Sequence, residues 1–149
     1  MSLNTENIFR RRFLTTIPLV IGFTGCISNK KRVGVRKITF MNKLTEAVDA
    51  SITVWRGGKQ IFDSIITVDP APSEHEIREK ILVKDWMGER EWYEIAVSTN
   101  IADEQISARS KSGSTINEPG DIKCVDVTII IKRSRIEIAH AYNDTCQYS

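Results

Sequence analysis

The strongest constraint in this chain is a period of two. Val125, Val127, Ile129 and Ile131 fall on one face of an extended segment, and Val48, Ala50, Ile52 and Val54 do the same against Asp49, Ser51 and Thr53. Successive side chains of a strand point to opposite faces, so such spacing buries one side of a sheet, whereas a helix would spread the same residues around a cylinder. The punctuation agrees. "RGGK" (Arg56 to Lys59) supplies a turn in which Gly57 and Gly58 can take positive φ, and Gln60 to Val68 reads as the returning strand. "KRSR" (Lys132 to Arg135) turns the chain before Ile136 and Ile138, and a turn near "TNIADE" separates the face of Tyr93, Ile95 and Val97 from that of Ile106 and Ala108. A first strand runs near Val35 to Met41.

The segment after "DPAPS" (Asp69 to Ser73) is ambiguous. Ile77, Ile81 and Val83 alternate with Arg78, Lys80 and Lys84, yet Glu79 falls on the apolar face and Leu82 on the other. A strand fits, and so does a helix over Glu74 to Lys80. The stretch Ser110 to Asp121 is a long Gly- and Ser-rich loop. About seven or eight short strands without regular intervening helices predict an all-β fold, an antiparallel β-sandwich over residues 35–149.

Residues 1–25 read as a signal peptide. Arg10, Arg11 and Arg12 precede an uncharged run, Phe13 to Phe23, that ends at Thr24, Gly25 and Cys26. Eleven residues make about 16 Å of helix against roughly 30 Å of bilayer hydrocarbon, so the run is short for a membrane span; an uncleaved anchor is the alternative. Arg10, Arg11, Phe13 and Leu14 resemble the core of a twin-arginine export signal, with Phe9 where Ser or Thr usually stands, and the general secretory route would accept the same arginines. Phe23-Thr24-Gly25-Cys26 resembles a lipobox, which makes Cys26 the expected lipidation site and membrane lipid the expected partner. Residues 26–34 then form a polar, basic tether, and the domain sits on the outer face of the cell membrane. Lys30, Lys31 and Arg32 could rest on anionic head groups or cell-wall polymers.

Removing Arg10, Arg11, Arg12 and Glu6 from 21 basic and 19 acidic residues leaves 18 of each sign in the 124 residues that remain. No polybasic stripe is left to engage nucleic acid. One domain of this length buries roughly two thirds of its unfolded surface and can fold as a monomer.

Export makes a Cys124–Cys146 disulfide the leading expectation. Closing that loop of 23 residues stabilises the fold by about 3 kcal/mol in the chain-entropy picture. A metal site built from Cys124, Cys146 and His140 lacks both the late Met of a blue-copper centre and the paired spacing of zinc ligands. His140 continues the face of Ile136 and Ile138 and reads as a partly buried structural residue; His75 reads as an exposed loop or strand-edge residue. Neither lies in a nucleophile or metalloprotease motif, so no catalytic residue and no cofactor is expected; a small secreted hydrolase or metal-binding redox protein using His75 or His140 is the alternative. Asn143-Asp144-Thr145 is a sequon that export would expose to glycosylation. Trp55 and Trp92 fall opposite Val54 and Tyr93, off the expected core, and with Trp86 they mark a possible ligand surface centred on "WMGEREWYE" (Trp86 to Glu94), unless they cap the sandwich.

Taken together, "RRRFL…TGC", "ITVWRGGKQIF" (Ile52 to Phe62), "WYEIAVST" (Trp92 to Thr99) and the final "C…VTIII…IEIAH…C" resemble the small lipoproteins and secreted immunoglobulin-like or transthyretin-like β-sandwich proteins of halophilic archaea. The resemblance implies a surface location and a sandwich, and it carries no activity or catalytic residues. The expected function is an exported, lipid-anchored module with a binding or structural role in the envelope, its partner a protein or a glycan.

Overall fold

The computed structural model describes residues 32–111 and 123–147. The expected export residues Arg10, Arg11, Phe13 and Leu14, the expected lipidation site Cys26 and most of the expected loop from Ser110 to Asp121 lie outside the described residues. The described chain forms eight strands: β1 (Gly34–Asn42), β2 (Val48–Arg56), β3 (Lys59–Val68), β4 (Arg78–Leu82), β5 (Tyr93–Ile101), β6 (Glu104–Lys111), β7 (Cys124–Lys132) and β8 (Arg135–Asn143). A first sheet has the order β4-β1-β7-β8 and a second the order β3-β2-β5-β6. The sheets pack face to face as the expected sandwich. Every pairing is antiparallel except that of β1 with β7, which is parallel and sits at the centre of the first sheet.

Alternation decides what goes inside. Ile38 and Phe40 from β1 and Val125, Val127, Ile129 and Ile131 from β7 meet Ala50, Ile52, Val54, Ile95 and Val97 of the second sheet, all essentially inaccessible to solvent. Each valine, isoleucine or phenylalanine among them contributes about 1.5–3 kcal/mol by leaving water. The one polar residue wholly inside is Asn42 at the end of β1 among the described residues. Its Nδ2 donates to the carbonyls of Glu46 at 2.8 Å and Asp69 at 3.0 Å, and its Oδ1 accepts from the Leu44 amide at 2.9 Å. It thereby closes the β1–β2 connection onto the segment after β3.

The turns follow their residues. Gly57 and Gly58 adopt φ of 55° and 83°, as the hairpin requires. The β5–β6 turn does the same with Ala102 and Asp103 at φ of 49° and 64°, a left-handed conformation that costs a side chain such as alanine about 1–2 kcal/mol.

The ambiguous segment is a strand, so the helix over Glu74 to Lys80 is corrected. Leu82 is the residue that packs against the core, while Ile77, Ile81 and Val83 face solvent at 44, 46 and 48% exposure. β4 lies at the edge of the first sheet, beside β3 at the edge of the second. At that margin the position pointing between the sheets is still wet, so the stems of Arg78 and Lys80 cover it with their charges in water.

Odd-numbered strands run away from one end of the sandwich and even-numbered strands return to it. That end gathers the start of β1, the Gly57–Gly58 turn, the β4–β5 connection and the disulfide. Cys124 and Cys146 are bonded, with Cα atoms 5.1 Å apart, and tie the C-terminal segment to the first residue of β7. Gly34 sits against this bridge: a Cβ there would lie 2.7 Å from the Cys124 Sγ and 2.9 Å from the Glu89 carbonyl.

Candidate functional site

The outer face of the second sheet is the most distinctive surface on the domain. Its rows follow from register. Ile65, Ser51, Ser98 and Ser107 lie side by side on β3, β2, β5 and β6; Asp63, Thr53, Ala96 and Arg109 form the next row; Trp55, Glu94 and Lys111 form the one beyond. Where most strands would carry bulky or charged groups, the centre carries three serines, a threonine and an alanine. A shallow depression of about 460 Å³ results, lined by Ser51, Thr53, Ala96, Ser98, Ser107 and Arg109. A second, of about 190 Å³, continues it past Ile65 toward Asp49, Asn100 and Gln105.

One wall of this trough is built from a tryptophan and a cation. Alternation along β2 after inward Val54 sets the half-buried indole on the outer face, beside a bulge at Ile61 where Val54 faces Phe62 and Trp55 faces Gln60. The Arg109 guanidinium lies over the ring at 4.9 Å from its centroid and is ion-paired with Glu94. Toward the β3 edge the polar groups are fixed by cross-strand bonds: the Thr53 hydroxyl donates to Asp63 at 3.0 Å and the Thr67 hydroxyl to Asp49 at 2.6 Å. Ile65, at 68% exposure, stands at the margin. The arrangement offers hydroxyls repeated at the strand spacing of about 4.8 Å, with an aromatic and a cation at one end and carboxylates along the side.

The other two tryptophans lie elsewhere. Trp86, in the β4–β5 connection, packs between Phe62 and Tyr93, with ring centroids 6.2 and 5.6 Å away, and closes the end of the core. Its indole nitrogen is buried and has no hydrogen-bond partner among the described residues. Trp92 is half-buried just before β5, and its carbonyl accepts from the Gly57 amide at 2.9 Å. The buried Tyr93 hydroxyl donates toward the carbonyls of Glu89 and Trp86 at 2.9 and 3.3 Å and so holds the connection across the end of the sandwich. Burial raises the Tyr93 pKa above its ordinary 10.0, against the opposing effect of Arg56. The three tryptophans therefore do not form one surface: Trp55 belongs to the trough, Trp86 to the core and Trp92 to the end.

His140 lies on the inward side of β8 opposite Val127, where the edges of β6 and β8 approach. Its Nε2 is 3.2 Å from the Ser110 hydroxyl, and burial pushes its pKa below the ordinary 6.5. His75 is exposed in the segment before β4. The structure thus separates the two histidines and joins one of them to a serine. Among the described residues no group of three or more His, Cys, Asp or Glu side chains is placed to hold a metal ion, and no helix is long and apolar enough to cross a membrane. Asn143, the expected glycosylation site, ends β8 with its Nδ2 donating to the Ala141 carbonyl at 3.2 Å.

Sequence reasoning found Trp55 but not its setting. Ser51, Ser98 and Ser107 each read as outward positions, but only the pairing of β2 with β5 and of β5 with β6 makes them a row. No protein-family model matches the chain, and no curated protein matches it.

Proposed function

We propose that this chain is an exported, lipid-anchored surface module that holds an extended, hydroxyl-rich polymer, an envelope glycan, in the trough on the outer face of its second sheet, without acting on it chemically. The observation that carries the proposal is the serine row walled by the Trp55–Arg109 pair. A flat, polar chain can lie across the small side chains, exchange hydrogen bonds with a periodic set of hydroxyls and stack at the indole end. The signal-like opening and the lipobox-like Cys26 support placement on the outer membrane face, and the Cys124–Cys146 bridge suits an oxidising compartment.

Two measurements test this. The intact mass of membrane-extracted protein, with and without reduction, is expected to begin at a lipidated Cys26 and to gain two hydrogens; a full-length mass without lipid overturns the anchor. Co-sedimentation with purified envelope polysaccharide tests the trough. Ser98→Tyr, which fills its floor, and Trp55→Ala, which removes its wall, should each weaken retention by roughly ten-fold or more, the scale of losing one stacking contact of about 1–3 kcal/mol. Retention unchanged by either substitution sinks the trough as the binding site.

The Ser110–His140 pair gives the hydrolase alternative one observation in its favour, since a hydroxyl and a neutral imidazole in contact are the first two members of a nucleophile–base relay. A fluorophosphonate probe that labels wild-type protein but not Ser110→Ala would establish it. Absence of labelling leaves the pair as a clasp between two strand edges.

A further inference from the structure

β4 is amphipathic in the wrong sense for a strand of a two-layer sandwich. Its inward positions are Arg78, Lys80 and Leu82, with Lys84 next in line, and its outward row is Ile77, Glu79, Ile81 and Val83. The cations are turned to the seam with β3. Lys80 Nζ donates to the Thr67 carbonyl at 2.8 Å, Arg78 Nε to the Pro70 carbonyl at 3.5 Å, and Lys84 Nζ stands 5.4 Å from the centre of the Phe62 ring. Among the described residues their charges are met by carbonyls and a ring, not by carboxylates. The outward row beside them is apolar except for Glu79, with Ile77, Ile81 and Val83 nearly half exposed; Ile81 adjoins Thr39 of β1 and Thr128 of β7, and Glu79 adjoins half-buried Met41 and Ile130. An edge strand with three exposed β-branched side chains on its outward row and three exposed cations on its inward row offers both an oily and a positive side at one margin of the sandwich.

We infer that this face of the first sheet docks on an anionic lipid bilayer, with Ile77, Ile81 and Val83 entering the head-group zone and Arg78, Lys80 and Lys84 contacting lipid phosphates. The inference rests on the lipid anchor proposed above, and the length of the chain outside the strands is what selects the bilayer as occupant. Cys26 precedes Gly34 by eight residues, which span at most about 28 Å when fully extended. The tether joins β1, the strand hydrogen-bonded to β4. A lipid on Cys26 therefore keeps this edge of the first sheet within reach of the membrane surface, and docking the first sheet leaves the trough of the second sheet facing away from it.

Hydrogen exchange on membrane-extracted full protein tests the docking. The protein is reconstituted in phosphatidylcholine vesicles with and without phosphatidylglycerol, and exchange of residues 77–84 is compared with that in detergent. Slowing by roughly ten-fold or more in the anionic vesicles only, reversed by high salt and by Ile81→Ser with Val83→Ser, is the expected result. Unchanged exchange at 77–84 in protein that remains vesicle-bound overturns the docking and leaves the anchor intact. Protein that carries no lipid yet shows the protection overturns the anchor and supports the docking; protein with neither overturns both. Protection that grows with protein concentration in detergent assigns the face to a second copy of the chain and overturns the bilayer.

Discussion

On the outer face of the first sheet, β4 exposes Ile77, Ile81 and Val83, and the interior of the same face is occupied by Met41, Ile130 and an ion pair in which Arg36 grips Asp126 through both nitrogens. At the matching positions of the second sheet stand Ser51, Ser98 and Ser107, and the ion pair there, Arg109 with Glu94, leans on an indole at the rim. Both faces come from strands that alternate inside and outside with the same period, so folding does not account for the difference. What teaches most is the size of the side chains. The first sheet flanks a central Thr39–Thr128–Ala139 row with Met41, Ile130 and the Arg36–Asp126 pair, whereas the second sets its serines, Thr53 and Ala96 in consecutive rows and is hollowed there.

The sharpest way to break this comparison uses neighbours on one strand. Ile129 is fully buried between the sheets and Ile130 is outward, so Ile129→Ala should cost about 2–5 kcal/mol in urea unfolding of the oxidised protein. Ile81→Ala on the outer face should change stability by no more than about 0.5 kcal/mol. A loss at Ile81 comparable to that at Ile129 would make the apolar row of β4 a packing element rather than a docking surface. Next in size are the carboxylates. Asp126 is 13% exposed in its side chain and its partner Arg36 18%, and Asp126→Ala should cost about 1–3 kcal/mol, whereas Asp63→Ala on the second sheet should fall within about 0.5 kcal/mol.

His140 sits at the seam where the edges of β6 and β8 approach. Burial lowers the folded pKa of His140 below 6.5, so the unfolded chain binds the proton more readily. Its contribution to stability is therefore complete above 6.5 and declines as the pH falls through the lowered folded value. Unfolding midpoints measured across that range should drop for wild type and stay flatter for His140→Gln. The smallest effect concerns the turn that sets the register of the serine row: replacing Ala102-Asp103 by Asn-Gly should raise stability by about 0.5–1 kcal/mol without altering retention on polysaccharide. Altered retention would mean that the β5–β6 register, not the residues of the trough alone, governs binding.

Most of the fold was legible because β2, β5 and β7 each commit one face to the core, and a strand that does so announces itself by alternation alone. β4 was not legible for the opposite reason. At the margin of a sandwich, inside and outside are both wet, so Arg78 and Lys80 can occupy the inward row and Ile81 the outward one at little cost, and the pattern reverses without warning. Asn42 could not be read as a hub, because its partners on Glu46 and Asp69 are carbonyls whose positions depend on how β1, β2 and β3 connect. The trough needed register as well as alternation: three serines separated by 47 and 9 positions become neighbours only through two antiparallel pairings.

Gly34 leads to a consequence of another kind. The described chain enters β1 there, beneath the disulfide and the Glu89 carbonyl, in a strand held between β4 and the parallel β7. On the proposed function, a polymer held on the second sheet and dragged by flow would draw against an anchor whose pull acts along β1. The bonds on both sides of that strand are then loaded together in shear and do not open one at a time as in a peeled hairpin. A strand clamped on both sides in this way would resist extraction from its own base.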